Sequence, residues 1–388
     1  MEFRLAGPTD RKLVEDLWAY CFEPRENPFF QWYFSAFYKP ENVLMGFKNK
    51  EMACLTHLNP YELSLRGKKI PVSYIVGLAT HPAARRGGVG GKLLSAALKE
   101  MRRRKQYLNI LMPSKAGFYQ HYGYEMYCHQ WKETIRLEEL RPLTDKTVRF
   151  GFVNNTDQWT YLATVYDAYT RSVSGYAVRD EAAWRSHIEA QLAEGYIAVA
   201  FQDDQPIAYV FYSLGGETIV SGEFVYSSWK GKRGLLDYIY NHRSQGKIFQ
   251  WNEGLQDQSY RFYPDGKQGH ETMPFMAGRV VDVKGALEQI PYPKGAEGVV
   301  TFHTEDPLAE WNTGSFTLAV KDGMGCVTAA GADEAEIFMP IGTLALLIFG
   351  AVDVNGLVFY EKLRGSDAAL ATLDEFFPRT NCYINEWY

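Results

Sequence analysis

The run Arg85-Arg86-Gly87-Gly88-Val89-Gly90-Gly91 carries the residue types that hold a phosphate. It follows Val76-Gly77-Leu78-Ala79-Thr80, which reads as a buried strand, and precedes a helical pattern opening near Gly90. A tight turn of this kind leaves several backbone N–H groups unpaired and pointing the same way. The partial positive charge of the following helix adds to theirs, and the arginines bring full charges. Glycine is needed where a Cβ would keep the backbone away from phosphate oxygens. The expected ligand is a pyrophosphate. A Walker loop does not fit, because it needs Gly-Lys-Ser/Thr at the helix start. The dinucleotide Gly-x-Gly-x-x-Gly fingerprint does not fit either, because the arginines fall where glycine should be.

Downstream, Gln106 to Met112 reads as a strand ended by Pro113, followed by Ser114-Lys115-Ala116-Gly117-Phe118-Tyr119-Gln120-His121-Tyr122-Gly123-Tyr124. The pattern Arg85-x-x-Gly88-x-Gly90 after Thr-x-Pro resembles the coenzyme A loop of the GNAT N-acetyltransferases. The Phe-Tyr…Gly-Tyr segment resembles theirs too. The resemblance implies that backbone groups of Leu78, Ala79 and Thr80 hold the pantetheine arm of acetyl-CoA. The amides of Arg86, Gly87, Gly88, Val89, Gly90 and Gly91 would seat its pyrophosphate, with Ser114 and Lys115 close by. It also implies that Tyr119 protonates the departing thiolate. A phenol suits that task, because its unperturbed pKa of about 10 lies a little above a thiol's. Tyr122 and Tyr124 read as packing residues, and His121 is an available alternative acid.

Three segments position these groups. In residues 1–137, Asp10 to Phe22 has helical apolar spacing, and Val43 to Leu58 reads as a hairpin turning at Asn49-Lys50. Tyr61 to Leu65 and Ile70 to Thr80 read as further strands before the loop, its helix and the tyrosine segment. Residues 138–282 repeat that layout, with helices at Trp159 to Ser172 and Asp180 to Ala193 and strands at Tyr196 to Phe201, Ile207 to Leu214 and Thr218 to Tyr226. The counterpart of the phosphate loop, Ser227-Ser228-Trp229-Lys230-Gly231-Lys232-Arg233-Gly234, is degenerate. Residues 283–388 read as an α+β layer resembling a sterol carrier protein. It has helices at Val283 to Gln289, after Pro340 and at Ser366 to Phe377. Its strands lie at Gly298 to His303, Ser315 to Lys321 and Gly325 to Thr328, with Asp333 to Met339 continuing the sheet. The expected fold class is therefore α+β: two tandem GNAT-like mixed-sheet domains, the second without a working donor site, and a sterol-carrier-protein-like α+β domain.

With 388 residues, 46% hydrophobic and 22% charged, the chain has the composition of a globular protein of two or three domains. A net charge of −5 argues against nucleic acid as the main partner. The basic run Arg102-Arg103-Arg104-Lys105 ends a helix, where cations interact favourably with the helix dipole. The five cysteines show neither paired spacing nor metal-ligand spacing with histidine. No metal site is expected, and the thiols fit a reducing cytoplasm. The first residues lack a signal-peptide core, and the longest apolar run, Ile341 to Val354, is too short to span a bilayer.

Two GNAT units followed by a carrier-like unit resemble the Eis ("enhanced intracellular survival") family of bacterial N-acetyltransferases over essentially the full length. The phosphate loop, the tyrosine segment, the stretch from Phe316 to Ile337 and the aromatic end Tyr383-Ile384-Asn385-Glu386-Trp387-Tyr388 carry the resemblance. It implies that the terminal carboxylate, here of Tyr388, helps remove the amine's proton, and that the protein is a homo-oligomer, a hexamer. Ser73 to Thr80 offers no carboxylate base, which agrees with a base supplied from elsewhere. An aromatic end that docks only for stability is the alternative. Unshifted groups would make that transfer uphill by ~6 pKa units, about 9 kcal/mol, so the site must shift a pKa or use water. Cationic amines are the expected acceptors: polyamine-like or aminoglycoside-like molecules, or lysine side chains, with Glu23, Glu26 and Glu386 as candidate attractors. Trp387 stands where better-known members carry an acid. A competing reading is a non-catalytic protein that binds a lipid or other apolar ligand in its carrier-like domain.

Overall fold

The first stretch alternates helices and strands. It comprises β1 (Glu2–Leu5), α1 (Arg11–Cys21), α2 (Pro28–Ala36), β2 (Val43–Lys48), β3 (Glu51–Leu65), β4 (Lys68–Thr80), α3 (Val89–Arg103), β5 (Leu108–Leu111) and α4 (Ala116–Gln120). These come from a computed structural model that describes residues 1–388 apart from Arg86, Gly266 and Tyr388. Helix α1 buries Val14, Leu17 and Trp18, one face at helical spacing. Helix α2 was not expected from the sequence. Its signal is Asn27-Pro28: the Asn27 side chain accepts from the Phe29 N–H, and Pro28 opens the first turn. The β2–β3 hairpin turns at Asn49 and Lys50, both with positive φ. Strand β3 runs unbroken through Asn59-Pro60, where the sequence suggested two pieces. Pro60 faces Ser73 of β4 and only forgoes one donor.

The second stretch holds β6 (Glu125–Arg136), α5 (Leu137–Leu140), β7 (Arg149–Phe152), α6 (Trp159–Thr170), β8 (Tyr176–Ala177), α7 (Glu181–Glu194), β9 (Tyr196–Gln202), β10 (Gln205–Gly215), β11 (Thr218–Tyr226), α8 (Trp229–Tyr240), β12 (Ile248–Gly254) and β13 (His270–Val280). The third holds α9 (Val283–Gln289), β14 (Gly298–Glu305), β15 (Gly314–Lys321), β16 (Met324–Ala330), β17 (Ile337–Pro340), α10 (Ile341–Phe349), α11 (Val354–Phe359), β18 (Arg364–Gly365) and α12 (Asp367–Phe376). Strands β1, β6, β7, β8, β12, β13 and β18 and helices α5 and α11, like α2, have no counterpart among the elements expected from the sequence.

Contacts divide the chain into two units. The first contains residues 1–127, 276–380 and 386–388, and the second 128–275 and 381–385. In the first, strands follow the order β1-β2-β3-β4-β5-β13, with β5 parallel to β4 and antiparallel to β13. Helix α3 packs Leu93, Leu94, Ala97, Leu98 and Met101 against Leu58, Ile75 and Leu111 of that sheet. Each large apolar side chain so buried contributes roughly 1.5–3 kcal/mol. The carrier-like sheet, β16-β15-β14-β17-β18, belongs to the same unit and buries Val300, Phe302, Leu318, Ile337 and Met339. In the second unit the order is β6-β12-β11-β10-β9-β7. There residues 381–385 are held by backbone bonds to Ser174, by Gln130 on the Ile384 carbonyl and by Arg179 on the Asn385 carbonyl.

One irregularity in the first unit matters most. Leu55 faces Ala79 and His57 faces Val76, so β4 carries one extra residue over Gly77-Leu78. Gly77 has φ of +61°, and a Cβ there would lie 2.2 Å from Cζ3 of Trp18. Trp18 in turn stacks on Tyr33 of α2 at 4.7 Å. The bulge is thus fitted to the helices that cover it. Gly67 has φ of +84° with open space around it, so it shares the backbone demand but not the packing demand. Gly77→Ala should lower the melting temperature by several degrees more than Gly67→Ala, reflecting about 1–3 kcal/mol of overpacking. Equal shifts, read by calorimetry, would remove the Trp18 contact from this account.

Candidate active site

Strands β4 and β5 pair only from Val72–Leu108 to Ile75–Leu111. Beyond Ile75, β4 continues to Thr80 alongside β3, while the chain after β5 turns away at Pro113. Two parallel strands that part in this way open a cleft whose wall is main chain. Leu78, Ala79 and Thr80 line the β4 side, with Leu78 and Thr80 half-buried and Ala79 buried. An extended, amide-bearing ligand arm can take the hydrogen-bonding edge that β5 leaves.

The loop after β4 is ordered by local bonds. His81 Nδ1 accepts from the Ala83 N–H at 3.3 Å, and Arg85 Nε donates to the Thr80 carbonyl at 3.1 Å. Arg86 lies outside the described residues. Gly88 caps α3 with φ of +67°, and no side chain caps the helix. The first-turn amides of Val89, Gly90 and Gly91 therefore sit at the positive end of a fifteen-residue helix without a side-chain acceptor. The glycines divide by role. Gly88 is required by its backbone angle, and Gly87 has little around it. Gly90 and Gly91 are closely packed: added Cβ atoms would come within 3.3 Å of Phe118 Cζ and 3.0 Å of Tyr122 Cε1. So the aromatic segment leans on the start of α3, a coupling that the sequence did not reveal.

Tyr119, on α4, is 9% exposed, with its ring edge-to-face against Phe118 and Tyr124. Burial raises its phenol above the usual value, so it keeps its proton at any working pH. Tyr124 is fully buried, and Tyr122 packs on α3, as expected for scaffold residues. His121, Ser114 and Lys115 are exposed, and Lys115 is the N-cap residue of α4. A buried ion pair pins this segment. Arg279 of β13 donates through Nε to the Tyr122 carbonyl at 2.8 Å and through Nη2 to Asp306 at 2.5 Å. Both side chains are fully buried. Removing one partner of such a pair costs about 3–5 kcal/mol, because the other charge stays buried alone. Nothing in the local sequence linked Arg279 or Asp306 to the tyrosine segment.

Tyr388 lies outside the described residues, but the residues before it do not. Glu386 is 1% exposed. Its carboxylate accepts from the Tyr61 hydroxyl at 3.4 Å, and its carbonyl accepts from the Tyr74 hydroxyl at 3.0 Å. Of the other acids named from the sequence, Glu23 accepts from Trp18 Nε1 at 3.0 Å, and Glu26 is exposed. On the same face of β3, Asn59 donates to the Tyr33 hydroxyl, which lies 2.9 Å from His57 Nδ1. Burial lowers the pKa of His57 to about 3, so this histidine is neutral and is no base.

The second unit repeats the layout with different contents. Strands β11 and β12 pair in parallel only over Thr218–Val220 and Ile248–Gln250, and β11 bulges at Gly222. Here, however, Ser228 caps the helix, its hydroxyl accepting from the Gly231 N–H at 3.1 Å. Lys232, fully buried, reaches Glu253 at 2.6 Å, Ser259 at 2.7 Å and Asp257 at 3.0 Å. The amide and the ammonium that could face an anion are both satisfied internally. Among the described residues no group of three or more His, Cys, Asp or Glu could hold a metal ion, and no helix is long and apolar enough to cross a membrane. The described cysteines are all free thiols.

Comparison with known families agrees with this geometry. Residues 2–127 and 175–280 each match an acetyltransferase (GNAT) domain model, and residues 283–385 match a sterol carrier protein domain model. No curated protein matches the chain in sequence. Among solved structures, a GCN5-related N-acetyltransferase from Anabaena variabilis superposes with a TM-score of 0.86 at 20% identity, covering 100% of both chains. One from Kribbella flavida gives 0.80 at 21%, covering 100% of this chain and 98% of its own. Eis1 from Mycobacterium abscessus gives 0.75 at 16%, again over 100% of both. At such identities these likenesses speak to the fold. Two mixed-sheet GNAT domains and a carrier-like α+β domain make up the chain, and by those domains it is an acyltransferase enzyme.

Proposed function

We propose that the chain is an Eis-like N-acetyltransferase that moves the acetyl group of acetyl-CoA directly onto a primary amine. The observation that carries this reading is the cleft between β4 and β5 closed by the uncapped start of α3. The pantetheine arm would pair with Leu78, Ala79 and Thr80. The pyrophosphate would take the amides of residues 86–91. The amine nitrogen attacks the thioester carbonyl, its proton passes to the Tyr388 carboxylate directly or through water, and the C–S bond breaks. Tyr119 gives its proton to the sulfur, which leaves as the thiol of coenzyme A. Acceptors are cationic small molecules of aminoglycoside or polyamine type, or lysine side chains.

The reading assigns one donor site per chain, in residues 1–137. Residues 138–282 carry a GNAT fold whose Ser228 cap and Lys232–Glu253 pair occupy the corresponding place. In residues 283–388, helices α9, α10 and α12 pack against the carrier-like sheet, and the segment supplies the chain end. The protein is read as a cytoplasmic homo-oligomer, a hexamer.

Two results follow. Titration calorimetry should count one coenzyme A per chain; two equivalent sites would overturn the assignment of the second unit. In an amine panel followed by thiol release, Tyr119→Phe and a chain extended past Tyr388 should each lose about 10²-fold or more in kcat. Full turnover in both would remove the assigned roles. Because burial raises the Tyr119 phenol, its deprotonation cannot produce an alkaline loss of rate below about pH 10. A fall at lower alkaline pH that vanishes in Tyr119→Phe would contradict this.

A further inference from the structure

We propose that Tyr74 and Tyr61 are the positioning residues for the chain end, holding its backbone two residues before the terminal carboxylate. The proposal rests on the reading that this carboxylate receives the amine's proton. It concerns what makes a chain end, the freest part of a polypeptide, fit for that work.

The two tyrosines stand on neighbouring strands and meet edge-to-face at 5.4 Å. Tyr74 lies opposite Ile110, one step before the last β4–β5 pair and three residues before the Gly77 bulge. It is therefore fixed to the part of the sheet from which the donor cleft opens. Its ring is 1% exposed, and its hydroxyl donates to the Glu386 carbonyl at 3.0 Å. Burial, reinforced by the nearby Glu386 charge, holds the Tyr74 phenol well above its ordinary value. It thus remains a donor throughout the assay range. Tyr61, half-buried, donates to the Glu386 carboxylate at 3.4 Å. A buried carboxylate needs such donors, since the cost of losing water must be offset by hydrogen bonds.

The clamp is itself braced. Asn59 faces Tyr74 across the β3–β4 register and donates to the Tyr33 hydroxyl at 3.0 Å. Tyr33 lies against neutral His57 and stacks on Trp18, the residue that the bulge requires. Strand pairing, two buried polar contacts and one ring stack thus brace Tyr74, which holds the backbone of Glu386, against β3, α2 and α1. A reacting group displaced by 1 Å loses about 10²-fold in rate, so a rigid hold on the last residues has a direct kinetic value.

The test uses the full-length protein with Tyr74→Phe, Tyr61→Phe, a tail extended by one residue, and the combination of Tyr74→Phe with the extension. Each phenylalanine removes only a hydroxyl. Tyr74→Phe should lower kcat about 10- to 100-fold with KM for acetyl-CoA unchanged. It should also speed carboxypeptidase release of the last residue. Tyr61→Phe, with its longer bond, should do the same to a smaller degree. The combined variant should be no slower than the extended chain alone, because both act through one group. Wild-type kcat and wild-type protease resistance in Tyr74→Phe, with the extended chain still impaired, would overturn the clamp and leave the terminal-carboxylate reading standing. Full activity of the extended chain would overturn that reading itself. If Tyr74→Phe raises KM for acetyl-CoA as much as it lowers kcat, the residue is merely structural and the proposal fails. Tyr61→Phe, outside the core of the sheet, supplies the same readouts if Tyr74→Phe folds poorly.

Discussion

The separation of β4 from β5 after Ile75 is the constraint on which the rest depends. Paired parallel strands satisfy each other's amides and carbonyls, and parted ones leave an unfilled edge that must find another partner or water. Here a one-residue bulge at Gly77, packed against Trp18, lies just beyond the last β4–β5 pair, and the chain then runs through the glycine-rich turn into the start of α3. The same event exposes strand-like main chain along the cleft and unsatisfied helix amides at its mouth. A thioester carrier with an amide-rich arm and a diphosphate matches that pair of features. Separate buried supports hold the segment that carries Tyr119 and the backbone of Glu386. Arg279 and Asp306 support the first, and Tyr74 and Tyr61 the second.

The second unit is an internal control on this logic. It has the same parallel pairing that stops early and the same bulge. It differs in having a serine at the helix cap and a lysine in the first turn with three acceptors, two of them buried. Those two side chains consume the electrostatic features that make the first cleft attractive to an anion.

What the sequence disclosed follows the range of the forces involved. The glycine-rich turn, the tyrosine-bearing helix and the α3 face were legible because backbone turns and helical periodicity are local. Helix α2 was missed although Asn27-Pro28 announces it, since its aromatic composition masks the usual apolar stripe. Strand β3 was split at Pro60 by a breaker rule that an edge of pairing overrode. A second demand on Gly90 and Gly91 is not local: an added Cβ would meet Phe118 and Tyr122 from another segment. Arg279, Asp306, Tyr61 and Tyr74 could not be found, because each acts on a partner far along the chain, up to 325 residues away for Tyr61 and Glu386.

The central claim is that main-chain amides at the start of α3 grip a diphosphate. Its most direct test compares the affinity of the protein for coenzyme A with that for pantetheine, which carries the arm and the thiol but no phosphate. The account predicts that pantetheine binds at least about 10²-fold more weakly, with the deficit shrinking as salt is raised. Equal affinity for the two, at low and high salt alike, would contradict it.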